Sequence, residues 1–298
     1  HGLGSFDKLL NLSYTHFIKY WRYSMKIKKF LSELLGTFLL VFLGTTAYAL
    51  LGSTGLGSTY STVAGIIGIA VVFGLAMTFV YYMFSSISGA HVNPAVSIAM
   101  YFNGAISLVE MFLYIVAQLL GALLASGLLL GILKCIPSVS ITTLGVGQTG
   151  YSSLSMISLD VKGAILIEAV LTFVFVSVYL HVVNDERLER LSGLLIGGAL
   201  TLVTILGIPF TGASINPARS FGPAVIMKIL GKGTALNQLW VFLLSPLIGA
   251  LVAYIVYKLL KGESVKFPKY NFMTGLREYY KEEVKMTDKS IFLIEGLH

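Results

Sequence analysis

Long apolar runs, separated by short polar or charged segments, dominate the chain. Six of these runs are long enough to cross a hydrocarbon layer about 30 Å thick, which takes roughly 20 apolar residues in a helix. They lie near residues 30–51, 61–84, 108–131, 163–183, 191–208 and 238–259. The pattern therefore predicts an all-α integral membrane protein with six transmembrane helices.

Two shorter apolar segments remain, at about 93–102 and 216–227. At 1.5 Å per residue each reaches only about 15 Å, which is half of a bilayer. Each begins with Asn-Pro-Ala, and Asn is a favoured N-cap while Pro suits the first helical position. We expect two re-entrant half-helices that enter from opposite faces and meet end to end, with their non-helical lead-ins buried in protein or lining a water-filled path.

The sequence consists of two similar halves. The tripeptides Asn93-Pro94-Ala95 and Asn216-Pro217-Ala218 lie close to half the chain apart, and Glu33–Phe42 in the first span resembles Glu168–Ser177 in the fourth. The third and sixth spans share a Leu-x-Gly-Ala-Leu-x-Ala run. An odd number of spans per half forces the second half to insert upside down, which predicts an inverted 3+3 repeat.

Composition and charge place the chain in a membrane. It is 56% hydrophobic and only 12% charged, against roughly 25% charged residues in an average soluble domain. The net charge is +7, and most Lys and Arg cluster in the N-terminal arm, in Asp185–Arg190 and after Lys258, whereas the connections near 52–60 and 135–161 carry almost no Lys or Arg. We expect the protein to lie in the plasma membrane with both termini in the cytoplasm. We expect no nucleic-acid partner. The one cysteine, Cys135, excludes an internal disulfide and a multi-Cys metal site.

With these motifs in place, the chain resembles the aquaporin, or major intrinsic protein, family from Lys29 to Lys258. The resemblance rests on Ser88–Ser97, on Thr211–Val225 and on the helix signatures that begin at Glu33 and Glu168. It implies an aquaporin-like fold and a passive channel for water and small neutral solutes (glycerol, hydrogen peroxide, ammonia) that excludes protons and ions. It also implies a homotetramer in which each subunit carries its own pore, and it implies neither a cofactor nor a metal.

The limits of this resemblance divide the chain into three parts. We expect residues 1–28 to comprise a stretch that resembles the remnant of an expression tag, followed by a basic cytoplasmic arm, and residues 29–260 to form the channel domain. Within the channel domain, repeat one covers about 29–134 and repeat two about 161–260. Residues 261–298 are expected to be a charged cytoplasmic tail.

The paired tripeptides carry chemistry that suits a pore. Asn93 and Asn216 can each cap their own half-helix through the side-chain oxygen while turning an amide N–H into the lumen. The positive ends of two helices meeting there repel cations, including protons. Ala95 and Ala218 are small, so the half-helices can abut. One copy alone would be an ordinary capped helix start, but two symmetric copies favour a pore.

A positive charge directly follows the second tripeptide. An Arg inside a membrane costs roughly 2.5–3.5 kcal/mol on the lenient insertion scale, so Arg219 must face water or a partner. The resemblance assigns it to a selectivity filter and, by spacing from the tripeptides, adds Phe73, Thr204 and Ala213. Thr204 stands where water-selective relatives usually carry His, so we expect a wider ring. Ser220, where glycerol-conducting relatives typically carry Asp, favours the water branch.

Two acids occupy equivalent positions of the repeats. A proton relay is one interpretation of an intramembrane carboxylate such as Glu33 or Glu168. The resemblance favours another, in which each carboxylate accepts from backbone N–H groups of its re-entrant loop. His91 is interpreted as a loop brace rather than a ligand. Glycines within the spans are interpreted as helix-packing positions, namely Gly36, Gly65, Gly74, Gly121, Gly193, Gly197, Gly198 and Gly249.

Three other classes of protein are alternatives to a channel. An inverted-repeat secondary transporter also uses broken helices at the midplane and remains the alternative. It should show asymmetric ion-coordinating groups, whereas the acids here are duplicated symmetrically. An ion channel should display charged rings or a carbonyl filter. An enzyme is not expected, because the sequence offers no nucleophile with a base, no metal cluster and no phosphate-binding loop.

Overall fold

The computed structural model describes residues 3–52, 62–138 and 140–267, with side chains from Lys26 onward except those of Thr62, Thr142 and Thr143. The expectations for the connection near 52–60 and for the tail at 261–298 therefore fall mostly outside the described residues. The chain divides into two compact units, one formed by Lys29–Lys266 and the other by the remaining residues at both ends. The described part of the latter is the beginning of the first helix and Phe267. The predicted channel domain lies within the Lys29–Lys266 unit.

The described residues are almost entirely helical and include no β-strand. Their α-helices are α1 (Leu3–Leu51), α2 (Thr62–Ser88), α3 (Pro94–Phe102), α4 (Leu108–Lys134), α5 (Ile141–Leu144), α6 (Val161–Val183), α7 (Ser192–Thr211), α8 (Pro217–Ile229) and α9 (Thr234–Leu260). Short 3-10 helices cover Ser152–Leu154 and Glu186–Leu191. Six of the helices, α1, α2, α4, α6, α7 and α9, are long and apolar enough to cross a membrane. The predicted all-α fold with six membrane-spanning helices is confirmed.

The two spans that precede the tripeptide loops run past the ends that their apolar runs suggested. The second was predicted to end at residue 84 but runs to Ser88, and it ends only where Gly89 adopts a φ of 90°. The fifth likewise ends before Gly212, at a φ of 83°. Left-handed glycine is a common helix terminator because it has no Cβ to clash. The equivalent helices of the two repeats thus end with the same device, directly before each tripeptide loop.

Glycines let the helices of each repeat pack closely. A Cβ at Gly121 on α4 would overlap the carbonyl oxygen of Leu34 on α1, and one at Gly249 on α9 would overlap that of Ala169 on α6. These glycines belong to the run shared by the third and sixth spans. Gly198 is different, because a Cβ there would meet nothing within 4 Å. The expectation that Gly198 is a packing position is wrong, since it lies on an exposed face of α7.

Candidate functional site

Two short helices begin at the two Asn-Pro-Ala tripeptides. α3 has 9 residues and α8 has 13, so they are about 14 and 20 Å long and neither spans a bilayer. Asn93 caps α3, its Oδ1 accepting the Ala95 N–H at 2.8 Å. Asn216 caps α8 in the same way, accepting the Ala218 N–H at 2.9 Å. The sequence folds this way locally because Asn supplies the cap and Pro needs no N–H at the first position.

The two asparagines also bind the repeats to each other. Asn93 Nδ2 donates to the Ile215 carbonyl at 3.1 Å, and Asn216 Nδ2 donates to the Val92 carbonyl at 2.8 Å. Each amide has two N–H groups, so one remains after this exchange. Both asparagines line the same cavity. The sequence predicted the capping oxygen and the N–H for the lumen, but not the reciprocal bonds between the repeats.

Both loops before the tripeptides adopt the same unusual backbone. Three residues in each have a positive φ, which costs free energy for any residue with a Cβ and is rare for a β-branched one. They are Gly89, Ala90 and Val92 in the first loop and Gly212, Ala213 and Ile215 in the second. Such a conformation persists only when surrounding groups hold it in place.

Glu33 holds the first of these loops. Its Oε1 accepts the His91 N–H at 2.9 Å and the Ser88 hydroxyl at 2.7 Å. Its Oε2 accepts the Val92 N–H at 2.7 Å and an N–H of the Gln118 amide at 2.8 Å. The side chain is completely buried on α1. Four donors thus satisfy both carboxylate oxygens, as a buried acceptor requires.

Glu168 on α6 holds the second loop in an equivalent way. It accepts the Thr211 hydroxyl at 2.5 Å, the Ser214 N–H at 2.9 Å and the Ile215 N–H at 2.8 Å. Within the described residues neither Glu33 nor Glu168 takes part in a salt bridge. Both carboxylates are therefore occupied by loop donors, which favours the bracing interpretation over a proton relay.

His91 is packed inside the first loop. Its Nδ1 lies 3.1 Å from Ser97 Oγ, and its ring lies edge-on to Tyr114 and Tyr179 at centroid distances of 5.1 and 6.1 Å. The Gln118 amide also donates to Ser97 Oγ at 2.9 Å. Sequence reasoning missed Gln118, although an amide in the middle of an apolar span is a signal for a hydrogen-bonding role.

Arg219 is buried, with only 2% of its surface exposed. Its Nη1 donates to the Gly147 carbonyl at 2.5 Å and its Nη2 to the Gly212 carbonyl at 3.3 Å. The guanidinium carbon lies 5.2 Å from the ring centroid of Phe73 and 5.4 Å from that of Tyr48, distances typical of cation–π contacts. Backbone carbonyls and aromatic faces, rather than a carboxylate, thus hold this charge.

One narrow cavity joins the residues that the sequence had singled out. It is lined by Phe73, Thr204, Ala213 and Arg219 together with Asn93, Asn216 and His91, and by apolar side chains that include Leu40, Met77, Phe175 and Leu200. Polar groups converge from the two loops, while α1, α2, α6 and α7 supply the apolar wall. Thr204 on α7 and Arg219 on α8 add further polar side chains, so the cavity offers hydrogen bonds to a small neutral molecule.

Comparison with known proteins gives the same family over most of the chain. The family described as Major intrinsic protein matches residues 20–257. Glycerol uptake facilitator protein-like 6 of Lactiplantibacillus plantarum is 37% identical over 238 residues, which is 80% of this chain and 100% of that protein. Aquaporin Z of Photorhabdus laumondii is 34% identical over 243 residues, covering 80% of this chain and 99% of that protein.

A solved structure has the same architecture. The X-ray structure of the aquaglyceroporin from Plasmodium falciparum matches with a TM-score of 0.67 and 28% sequence identity, covering 78% of this chain and 95% of that one. Members of the matched family are passive channels rather than enzymes. With its two capped half-helices, six spans and these relatives, the chain belongs to the major intrinsic protein family and is a channel for water or small solutes.

Proposed function

We propose that this channel conducts water and also admits small neutral solutes such as glycerol, while it excludes ions and protons. The observation that carries the proposal is the make-up of the narrow cavity, where Phe73 and Arg219 stand with the small side chains of Thr204 and Ala213. A hydroxyl at Thr204 leaves more room than an imidazole would. The ring therefore combines the fixed charge of a water filter with a wider aperture.

Ion exclusion follows from the charges along the path. The positive ends of α3 and α8 meet near Asn93 and Asn216, and Arg219 adds a full positive charge farther along. No carboxylate lines the described cavity to offset them. A cation therefore loses its hydration without gaining compensating ligands, whereas a water molecule accepts hydrogen bonds from the amides.

The curated relatives support both solutes. One is named a glycerol uptake facilitator and another an aquaporin Z. In this chain the Phe73 ring offers an apolar face for the carbon backbone of a polyol, and Arg219 and Thr204 offer polar groups for its hydroxyls. A site of this kind accepts water and a small polyol alike.

Stopped-flow light scattering on proteoliposomes tests the proposal. Impermeant sucrose should cause fast shrinkage with a low activation energy, and glycerol should cause shrinkage followed by re-swelling. Thr204→His should cut glycerol permeability about tenfold, or about 1.4 kcal/mol in the barrier, while water flux persists. Thr204→Val keeps the shape without the hydroxyl, so it separates aperture from hydrogen bonding.

The possible failures are distinct. Fast water flux without any glycerol re-swelling would make the pore strictly water-selective and the widened filter wrong. Water flux no faster than in empty liposomes would contradict the channel. Saturable flux that depends on an ion gradient would support the secondary transporter instead.

We also propose a homotetramer with both termini on the cytoplasmic side of the plasma membrane. Family membership supports the assembly, and the charged Asp185–Arg190 connection supports the orientation. Large apolar side chains such as Leu35, Phe79 and Leu124 face outward and need lipid or a neighbouring subunit to cover them. Native mass spectrometry should give four chains of 32.3 kDa, and a monomer under mild detergent would contradict the assembly.

A further inference from the structure

Residues 145–151, which follow α5, form a strap beside Arg219 in the narrow cavity. The strap places the Gly147 carbonyl against Arg219 Nη1. Gly145 and Gly147 have φ values of 75° and 76°, a left-handed conformation that glycine adopts without strain. The strap also passes close to α1, since a Cβ at Gly147 would lie 3.0 Å from the Thr45 side chain. The position of the Arg219 partner therefore depends on what holds this strap.

Two tethers fix the far end of the strap. The Gly150 N–H donates to the Thr211 carbonyl at 3.0 Å. The Gln238 amide pairs with the backbone of Tyr151, accepting its N–H at 2.8 Å and donating to its carbonyl at 3.2 Å. These bonds attach the C-terminal end of the strap to α7 and α9.

A third tether runs through a buried chain of hydroxyls. Thr149 Oγ1 donates to Ser220 Oγ at 2.7 Å, and Ser220 Oγ donates to Ser214 Oγ at 2.6 Å. Ser214 Oγ then donates to the Asn216 carbonyl at 3.3 Å. The three hydroxyl residues are each at most 3% exposed. Each hydroxyl donates one hydrogen bond, so the chain is continuous from the strap to the second tripeptide.

The third tether is the one that bears on the filter. Thr149 stands two positions after Gly147, and Ser220 stands directly after Arg219. The Thr149–Ser220 bond therefore spans the same gap as the Arg219–Gly147 bond, one side on the strap and the other on α8. Neither the Gly150 tether nor the Gln238 tether reaches α8.

We propose that Thr149 is a positioning residue for selectivity, whose hydroxyl locks the strap to α8 and thereby fixes the aperture at Arg219. The inference rests on the proposed function, since it takes Arg219 as part of the filter. Without this bond the Gly147 carbonyl and the guanidinium gain freedom. The permeability of a solute near the size limit depends steeply on aperture, so the widest configurations dominate its flux. Water already passes the wild-type aperture, so its permeability rises less.

The ratio of glycerol to water permeability in proteoliposomes is the measurement. Thr149→Val removes the hydroxyl at nearly constant shape and should raise the ratio about fivefold, or about 1 kcal/mol in relative barrier height. Thr149→Ser retains the hydroxyl and should keep the wild-type ratio. Ser220→Ala should raise the ratio at least as much, because it also removes the bond to Ser214. The double variant Thr149→Val/Ser220→Ala should differ little from Ser220→Ala, since the Thr149 hydroxyl has then already lost its partner.

Ser126→Ala is the matched control. Ser126 is equally buried, but its hydroxyl donates only to the Ala122 carbonyl of its own helix at 2.9 Å, so the ratio should stay unchanged. A Thr149→Val protein that conducts water with the wild-type ratio would overturn the inference. So would an equal fall of both permeabilities, which is what a purely structural role produces. Wild-type protein without water flux would instead refute the proposed function, so the two failures are distinguishable.

Discussion

Single buried side chains hold the two re-entrant loops in conformations that their backbones disfavour. Glu33 accepts four hydrogen bonds and Glu168 accepts three. In both residues each carboxylate oxygen accepts one backbone N–H of the loop that the residue holds. A carboxylate suits this place because it accepts with both oxygens and donates with neither. An amide of the same size would turn an N–H toward groups that are themselves donors.

Glu33→Gln should therefore lower the thermal stability of the detergent-solubilised protein. Leaving a buried donor unpaired costs about 1–3 kcal/mol, which a fluorescence melt detects as a fall in Tm. Glu110→Gln is the control, because Glu110 is partly exposed and pairs with Lys29 at 2.7 Å, an interaction worth about 0–1 kcal/mol. Equal melting temperatures for both variants would show that Glu33 does not brace the loop.

At the scale of elements, helix crossings are set by where glycine faces a neighbouring backbone. Gly197 on α7 meets α2 so closely that a Cβ would overlap the Gly74 carbonyl and the Thr78 hydroxyl. Gly198 is the next residue, but a helix turns about 100° per residue, so it points elsewhere. Gly197 therefore has no room for a larger side chain, whereas the adjacent Gly198 does.

Gly197→Ala should destabilise the protein by about 1–3 kcal/mol, because the added methyl forces the two helices apart. Gly198→Ala should be neutral or stabilise it by about 0.5–1 kcal/mol, because alanine is the better helix former. Melting temperatures of the two variants in the same detergent compare them directly. A loss of stability at Gly198 as large as that at Gly197 would contradict the crossing geometry.

For the molecule as a whole, the number of spans predicts which connections lie on the same side of the membrane as the termini. Cys135 follows the third span, and its thiol is exposed. After an odd number of crossings we expect it on the side opposite to both termini. Because it is the one cysteine in the chain, it serves as a built-in reporter of topology.

In sealed spheroplasts, a membrane-impermeant maleimide should label Cys135 without lysis, and Cys135→Ser should abolish the signal. Lys261 follows the last span, so Lys261→Cys in the Cys135→Ser background should react only after permeabilisation. The reverse pattern would place the termini outside the cell.

Local chemistry explains which features the sequence could reveal. The half-helix starts were predictable because Asn93 and Asn216 act on residues two positions away, and Arg219 was conspicuous as a charge in an apolar environment. The Asn93–Ile215 bond and the Thr149 tether were not predictable, since they join residues that only the folded register brings together. Gly198 was misjudged because composition shows that a glycine is inside a span but not which way it faces.

The reciprocal hydrogen bonds of the two Asn side chains, which join the repeats, also constrain how the protein is made. The partner of Asn93 lies 122 residues later in the chain, and at 5–20 residues per second its synthesis takes roughly 6–25 s. During that interval the first tripeptide loop has only the donors and acceptors of its own repeat. Glu33 and Gln118 both belong to that repeat, so they can hold the unfinished loop while the ribosome completes the half that closes it.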